Sequence, residues 1–320
     1  MVGGRRVRVV KWALPAGAGG AGGKQIFLVF CRKKWYNNCK YKLTEIKLTQ
    51  EIYMPELSTV EDTLFVPMLG RIYATENFPN ILNDKKALEL KAKLPENLKG
   101  QDTQTQYTLM ASAVRSTNMD RYVQDFMKRE PEGVVVQLGC GLETTFYRND
   151  NGHNKWYEVD LPDVILYRRK LLEESERDKY IAADGFEEEW IKQVRAENPD
   201  APIMVMASGL FYYFSRDKVV GLFSKLKKYG QVEMVFDAVN GSGMKQMSKY
   251  MKQVGHEDAN MYFYVDNAQA IAYEVGDTTV MAEEPYYMYT PKKGLKFMTS
   301  TSMKVSDMFS MVKMIHLKFN

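Results

Sequence analysis

Glycines at 139 and 141, carboxylates at 160 and 184, and a Ser-Gly pair at 208 and 209 each follow an apolar run, and this recurrence is where the chain could do chemistry. The first instance reads VVVQLGCGLET, in which a buried run enters Gly139, Cys140 and Gly141 and then helix-compatible residues. Glycine has no Cβ, so the backbone can turn sharply and approach a ligand, which would meet backbone N–H groups there. Gly-x-Gly after a strand opens several nucleotide-binding domains and is sometimes only a tight turn. The third glycine of the dinucleotide fingerprint is missing, because Thr144 stands three beyond Gly141. That start seats a pyrophosphate less closely, which favours a ligand without phosphates.

Asp160 ends WYEVD, about 20 residues beyond the glycines. A carboxylate there can accept from both ribose hydroxyls. It can also be the N-cap of a helix whose first turn holds Pro162. Asp184 ends YIAAD and precedes Gly185 and Phe186, an acid or amide for an adenine edge and a ring for its face. An acidic, solvated helix start explains the carboxylates at 187–189 better than it explains Asp184. In PIMVMASGLFYYF, Ser208 and Gly209 lead into Phe211, Tyr212, Tyr213 and Phe214. Ligands of open α/β sheets bind outside the carboxyl ends of the strands, so Tyr212 and Tyr213 are the candidate catalytic groups, although aromatic clusters also build cores.

Other chemistries find no support. The chain has no GxxxxGK[ST] loop and no GxSxG elbow. Its three histidines, His153, His256 and His316, lie outside any HExxH motif and away from cysteine at ligand spacing, so no metal is expected.

Parallel strands must position these residues. Apolar, β-rich runs at 134–138, 156–159, 179–182, 203–207 and 232–236 alternate with helix-compatible segments, and crossovers of that kind make a parallel sheet covered on both faces. Ahead of them, TVEDTLFVPMLGRIYA and TQYTLMASAVRSTNMDRYVQDFM place apolar residues at spacings of three and four, which predicts helices. NFPNILNDKKALELKAKLP reads as a loop and a short helix. Behind them, MYFYV, the helical NAQAIAYEV, TTVMAEEPYYMYT and MVKMIHLKF predict a helix and closing strands with an antiparallel hairpin. The expected organisation is a basic leader over 1–53, a helical segment over 54–130 and an α/β core over 131–320.

The leader is glycine-containing and cationic, with eleven Lys and Arg against two acids, whereas the remainder carries 33 against 38. A segment with no apolar periodicity buries too little to offset its chain entropy, so disorder is expected, with a targeting peptide or a natural start at Met54 as alternatives. The net-acidic body argues against a nucleic-acid partner. Cys31, Cys39 and Cys140 form no CxxC pair or disulfide framework, and the apolar run at 26–31 is too short to span a bilayer. The expectation is a cytoplasmic protein with a small-molecule partner, no membrane partner and an unknown oligomeric state.

Together these segments resemble the leucine carboxyl methyltransferase superfamily, in its branch resembling tetracenomycin-type polyketide O-methyltransferases. The likeness runs from about Leu57 to the C-terminus. It is carried by Leu-Gly-x-Gly-Leu-x-Thr, Phe-Tyr-Arg and Trp-Tyr-x-x-Asp-Leu-Pro within VVVQLGCGLETTFYRNDNGHNKWYEVDLPDVILYRRKLL, in order and at spacing. The resemblance implies a Rossmann-like class I methyltransferase fold: a mostly parallel seven-stranded sheet, an antiparallel C-terminal hairpin and added N-terminal helices. It implies S-adenosyl-L-methionine as cofactor, held by Arg115, Gln137, Gly139, Cys140, Gly141, Asp160, Asp184, Gly185, Phe186 and Ser208. In that reading Arg115, in AVRSTNMDRYVQDFM, grips the methionine carboxylate, Gly139 lies against the methionine part, Asp160 takes the ribose, and Asp184 with its neighbours takes the adenine. A guanidinium can hold a carboxylate with two parallel hydrogen bonds. One position departs from the pattern: Ser208 stands where many relatives have an acid after the fourth strand, so contact with the cofactor's ammonium is weaker or falls to a backbone carbonyl.

The implied reaction is in-line transfer of a methyl group to oxygen of a small molecule, polyketide-like or another secondary metabolite. A carboxylate acceptor needs no general base, whereas a hydroxyl would gain from one, and Tyr212, Tyr213, Asp237 and Asn240 lie near strand ends. The alternatives are methylation of a protein C-terminal carboxyl, nicotinamide-dependent oxidoreduction and a catalytically silent interaction protein of the same fold.

Overall fold

The computed structural model describes residues 60–94, 104–253 and 261–320; the expected leader over 1–53 lies outside the described residues. Five strands run parallel: β1 (Val134–Leu138), β2 (Lys155–Asp160), β3 (Asp178–Ala182), β4 (Ile203–Ala207) and β5 (Val232–Val239). Two more, β6 (Thr278–Pro285) and β7 (Val312–Phe319), are antiparallel, and the sheet order is β3-β2-β1-β4-β5-β7-β6. The chain winds outward from β1 to β3 and then returns to lay β4 against the other side of β1, with Val134 in register with both Lys155 and Ile203. That reversal marks the carboxyl ends of β1 and β4, the usual ligand position in such sheets.

The central strands β1, β4 and β5 are buried throughout, because helices cover both faces of the sheet there. Val134, Val136 and Leu138 point to one face and pack with Trp190 and Val194 of α6 (Glu189–Glu197), Leu222 and Phe223 of α7 (Arg216–Lys227), and Ile271 of α9 (Ala268–Val275). Val135, Met204, Met206 and Val235 point to the other, where α3 (Gln106–Arg129) contributes Met110, Val114, Val123 and Phe126. A third cluster joins α1 (Val60–Asn77), α2 (Lys85–Lys91) and α5 (Pro162–Leu171) through Phe65, Leu90 and Ile165, with Cys140 and Leu142 among them. The remaining helices are α4 (Thr145–Asn149), α8 (Gly241–Gln253) and α10 (Phe297–Met308).

All five parallel runs form where the residues predict, with β5 extending to Val239. One expectation needs correction. MYFYV is not a strand, although Phe263 and Val265 alternate as buried with exposed Tyr262 and Tyr264. Both edges of β5 are already taken by β4 and β7, so this segment ties on through single bonds, Tyr262 N–H to the Tyr212 carbonyl and Val265 N–H to the Val239 carbonyl, each at 2.8 Å. The expected antiparallel hairpin forms as β6 paired with β7, with α10 in the connection between them.

Candidate functional site

The glycine turn is closed onto β2. Gly139 and Gly141 have φ of +66° and +47°, in the left-handed region that glycine enters freely. The N–H groups of Gly139 and Cys140 donate to the Val159 carbonyl at 2.8 and 3.2 Å, and that of Gly141 donates to Asp160 Oδ2 at 2.8 Å. The expectation that a ligand would meet these N–H groups is therefore corrected: β2 takes them, and what the glycines offer is a backbone without Cβ atoms. Asp160 also accepts from the Leu161 N–H at 2.7 Å through Oδ1. Burial raises this carboxyl and the two amide bonds oppose the rise.

Arg115 lies on α3 with its Nε 3.0 Å from Asp237 Oδ2 on β5. Asp237 is buried and further occupied, accepting from the Gly209 N–H at 2.6 Å and from the Tyr212 hydroxyl at 2.7 Å. Gly209 has φ of +68°, and a Cβ there would sit 2.2 Å from Arg115 Nη1. The guanidinium thus rests directly on the turn after β4. Burial pushes the Tyr212 phenol well above its ordinary range, and the Asp237 charge adds to it. Tyr213 is also raised, chiefly by desolvation.

Other expected site residues divide. Asp184 is exposed at the end of β3 and accepts from the Phe186 N–H at 2.9 Å. Gly185 packs close, its missing Cβ 2.9 Å from Leu138 Cδ1. Phe186 is brought into the core, its ring centroid 4.3 Å from that of Phe214, with Phe211 beyond. Ser208 is half-buried beside Gly209. Cys140 is buried, which pushes its thiol up. Gln137 is buried in β1 with neither amide atom partnered among the described residues. Phe146 packs edge-on against Trp156, at the far end of β2 from Asp160.

Sequence reasoning missed two buried charge clusters beneath and beside the turn. In the first, Glu143 accepts from Arg71 Nη1 at 2.9 Å, Arg148 Nη1 at 3.1 Å and Ser116 Oγ at 3.1 Å, while Arg148 also reaches Asp84 at 2.6 Å and Asp120 at 2.8 Å. Despite its burial, the guanidinium groups of Arg71 and Arg148 hold the Glu143 carboxyl down at about 2. In the second, Arg168 of α5 donates from Nη1 to the Gly141 and Glu143 carbonyls at 3.2 and 2.7 Å, while its Nη2 lies 3.2 Å from Glu158 Oε1 on β2. Asp178 lies buried nearby on β3, its oxygens unpartnered among the described residues. One signal was present: Glu158 is a lone acid inside an apolar strand. Of the histidines, His316 pairs with Glu233 at 2.9 Å, His153 is exposed and His256 lies outside the described residues. Among the described residues no group of His, Cys, Asp and Glu could hold a metal ion.

Residues 61–227, more than half of the 320, match the leucine carboxyl methyltransferase family. The chain belongs to that family. This leucine carboxyl methyltransferase family member is 28% identical over 158 residues to the tetracenomycin polyketide synthesis O-methyltransferase of Streptomyces glaucescens, covering 49% of this chain and 57% of that protein. It is 25% identical over 188 residues to an S-adenosyl-L-methionine-dependent methyltransferase of Gibberella zeae, covering 54% and 62%. The matches thus span about six tenths of these relatives' own lengths. Two solved structures share the fold. One, described as a candidate methyltransferase from Thermobifida fusca YX, has a TM-score of 0.51 at 14% identity, covering 81% of this chain and 97% of that one. The other, a DUF574 family protein from Streptomyces avermitilis, has 0.52 at 13%, covering 80% and 100%. They establish the Rossmann-like architecture of this family member and nothing finer.

Proposed function

We propose that the chain transfers a methyl group from S-adenosyl-L-methionine to a carboxylate oxygen of a small molecule. The residues present fit the cofactor. A carboxylate has about four acceptor positions, and Asp160 uses two of them on backbone amides, which aims it while leaving capacity for ribose hydroxyls. Arg115 would hold the methionine carboxylate, Gly139 and Gly141 would lie against the chain of the cofactor, and Asp184 with Gly185 would meet the adenine edge. When bound, the cofactor supplies a sulfonium methyl group, an electrophile open to in-line displacement.

The observation that carries the choice of acceptor is that three of the four candidate bases are committed, while burial pushes the phenol of the fourth, Tyr213, up and so away from the ionised form of a base. Tyr212 spends its proton on Asp237, and its phenol is pushed up. Asp237 serves Gly209, Tyr212 and Arg115. Asn240 donates to the Phe309 carbonyl at 2.9 Å and accepts from the Gly243 N–H at 2.8 Å. An acceptor that arrives ionised needs none of them, and alignment with exclusion of water is then the protein's main contribution.

The test is to incubate the protein with methyl-labelled S-adenosylmethionine and a metabolite extract, then treat the products with alkali. Methyl esters release labelled methanol under those conditions and methyl ethers do not. Label that survives alkali would transfer the assignment to a hydroxyl acceptor, and no label in any product would remove the activity altogether.

A further inference from the structure

Helix α10 is apolar on the wrong side. Its buried residues are Thr299, Met303 and Ser306, whereas Phe297, Met298, Val305 and Met308 are 80, 71, 41 and 75% exposed and the cap residue Phe309 is 63% exposed. At about 100° per residue these five side chains share one arc of about a third of the circumference. Lys293, Lys296 and Lys304 are exposed beside them. The only acid between 286 and 311 is Asp307, which accepts from the Tyr287 N–H at 2.9 Å and faces Lys292 at 3.9 Å. The helix is firmly held: Met303 enters the core, the Lys296 N–H donates to Gln106 Oε1 at 2.7 Å, and the Phe309 carbonyl accepts from Asn240 at 2.9 Å. That last bond places it at the end of β5 that also bears the candidate site.

A contiguous apolar patch rimmed by charge marks a surface meant to be covered. We propose that α10 seats the protein on an anionic lipid bilayer, its apolar arc entering the headgroup boundary and its lysines meeting acidic headgroups. Charge decides the occupant. In a symmetric contact between two copies the same lysines would face one another, whereas an acidic leaflet neutralises them and attracts basic residues beside an apolar helix face. No helix among the described residues is long and apolar enough to cross a membrane, and a helix lying in the interface plane need not be. The missing span bears on crossing a bilayer and leaves seating on its surface open, which replaces the expectation of no membrane partner. The inference is independent of methyl transfer.

The experiment is co-sedimentation of the full chain with vesicles of phosphatidylcholine alone and of phosphatidylcholine mixed with phosphatidylserine, across a salt series. Two variants accompany it: Phe297→Ser with Met308→Ser, and Lys293→Glu with Lys296→Glu and Lys304→Glu. All five positions are exposed, and an unchanged melting temperature checks the fold. The protein should sediment with the phosphatidylserine vesicles, less so as salt rises, and each variant should bind at least about tenfold more weakly, since one lysine near an acidic surface contributes about fivefold. Two results overturn the proposal: no binding by folded protein, where a dimer that the Phe297→Ser with Met308→Ser variant loses would make the face a contact between copies; or binding equal in the parent and both variants, which transfers the attraction elsewhere.

Discussion

Asp237 explains why Tyr212 is a positioning group. Its oxygens gather the Gly209 amide, the Tyr212 hydroxyl and Arg115, so Tyr212→Phe should cost about 1.5–3 kcal/mol of stability. Turnover should fall by much less than the ~100-fold that loss of a general base brings, and a kcat measured at several pH values checks this. Gly209→Ala strikes harder, because the new Cβ meets Arg115 and the left-handed backbone disfavours it by about 1–2 kcal/mol. Calorimetry with S-adenosylhomocysteine should show affinity reduced about tenfold or more. Wild-type affinity there would separate Arg115 from the cofactor. The glycines and Asp160 were legible because a turn residue and a strand-end acid announce themselves by spacing. Asp237 was only one of several acids near a strand end, since its partners come from α3 and the β4 turn, which no local pattern connects.

Helices α1, α3 and α4 meet the glycine turn through the Arg71, Asp84, Asp120, Glu143 and Arg148 cluster. Removing one member leaves buried charges without a counterpart, so Arg148→Met should cost about 3–5 kcal/mol, read by denaturant unfolding. Acidity should act in the same direction. Glu143 is held at about 2, so its contribution is whole above the ordinary carboxylate value and is lost as pH falls from there toward 2. Asp178 and Glu158 run oppositely: burial raises both carboxyls, so the folded state binds their protons more tightly and stability is lost as pH rises from the ordinary value through the raised ones. Asp178→Asn should therefore gain on the parent protein between pH 5 and pH 8, and a gain that is equal at both would refute the assignment. Only Glu158 left a signal, as an acid inside an apolar strand; the rest was not legible, because burial of an acid or arginine depends on which helices cover it.

For the molecule as a whole, ligand binding and folding share one equilibrium. A cofactor product that binds only the folded chain adds about 2.7 kcal/mol at a hundredfold excess over its Kd. The melting temperature should then rise by several degrees; no rise with S-adenosylhomocysteine would contradict the proposed site. The parallel half of the sheet was legible because strands buried on both faces are written as unbroken apolar runs, such as VVVQL and PIMVMA. The C-terminal part was less so, since alternation in MYFYV shows which side chains are buried but not whether a sheet edge is vacant to receive them. Strand β7 lies between β5 and β6 rather than at the rim. During synthesis, then, β6 has no strand to zip against and one edge of β5 stays open until Val312–Phe319 has left the ribosome, so a nascent chain stalled before that point would present the bare edge of a buried strand to chaperones.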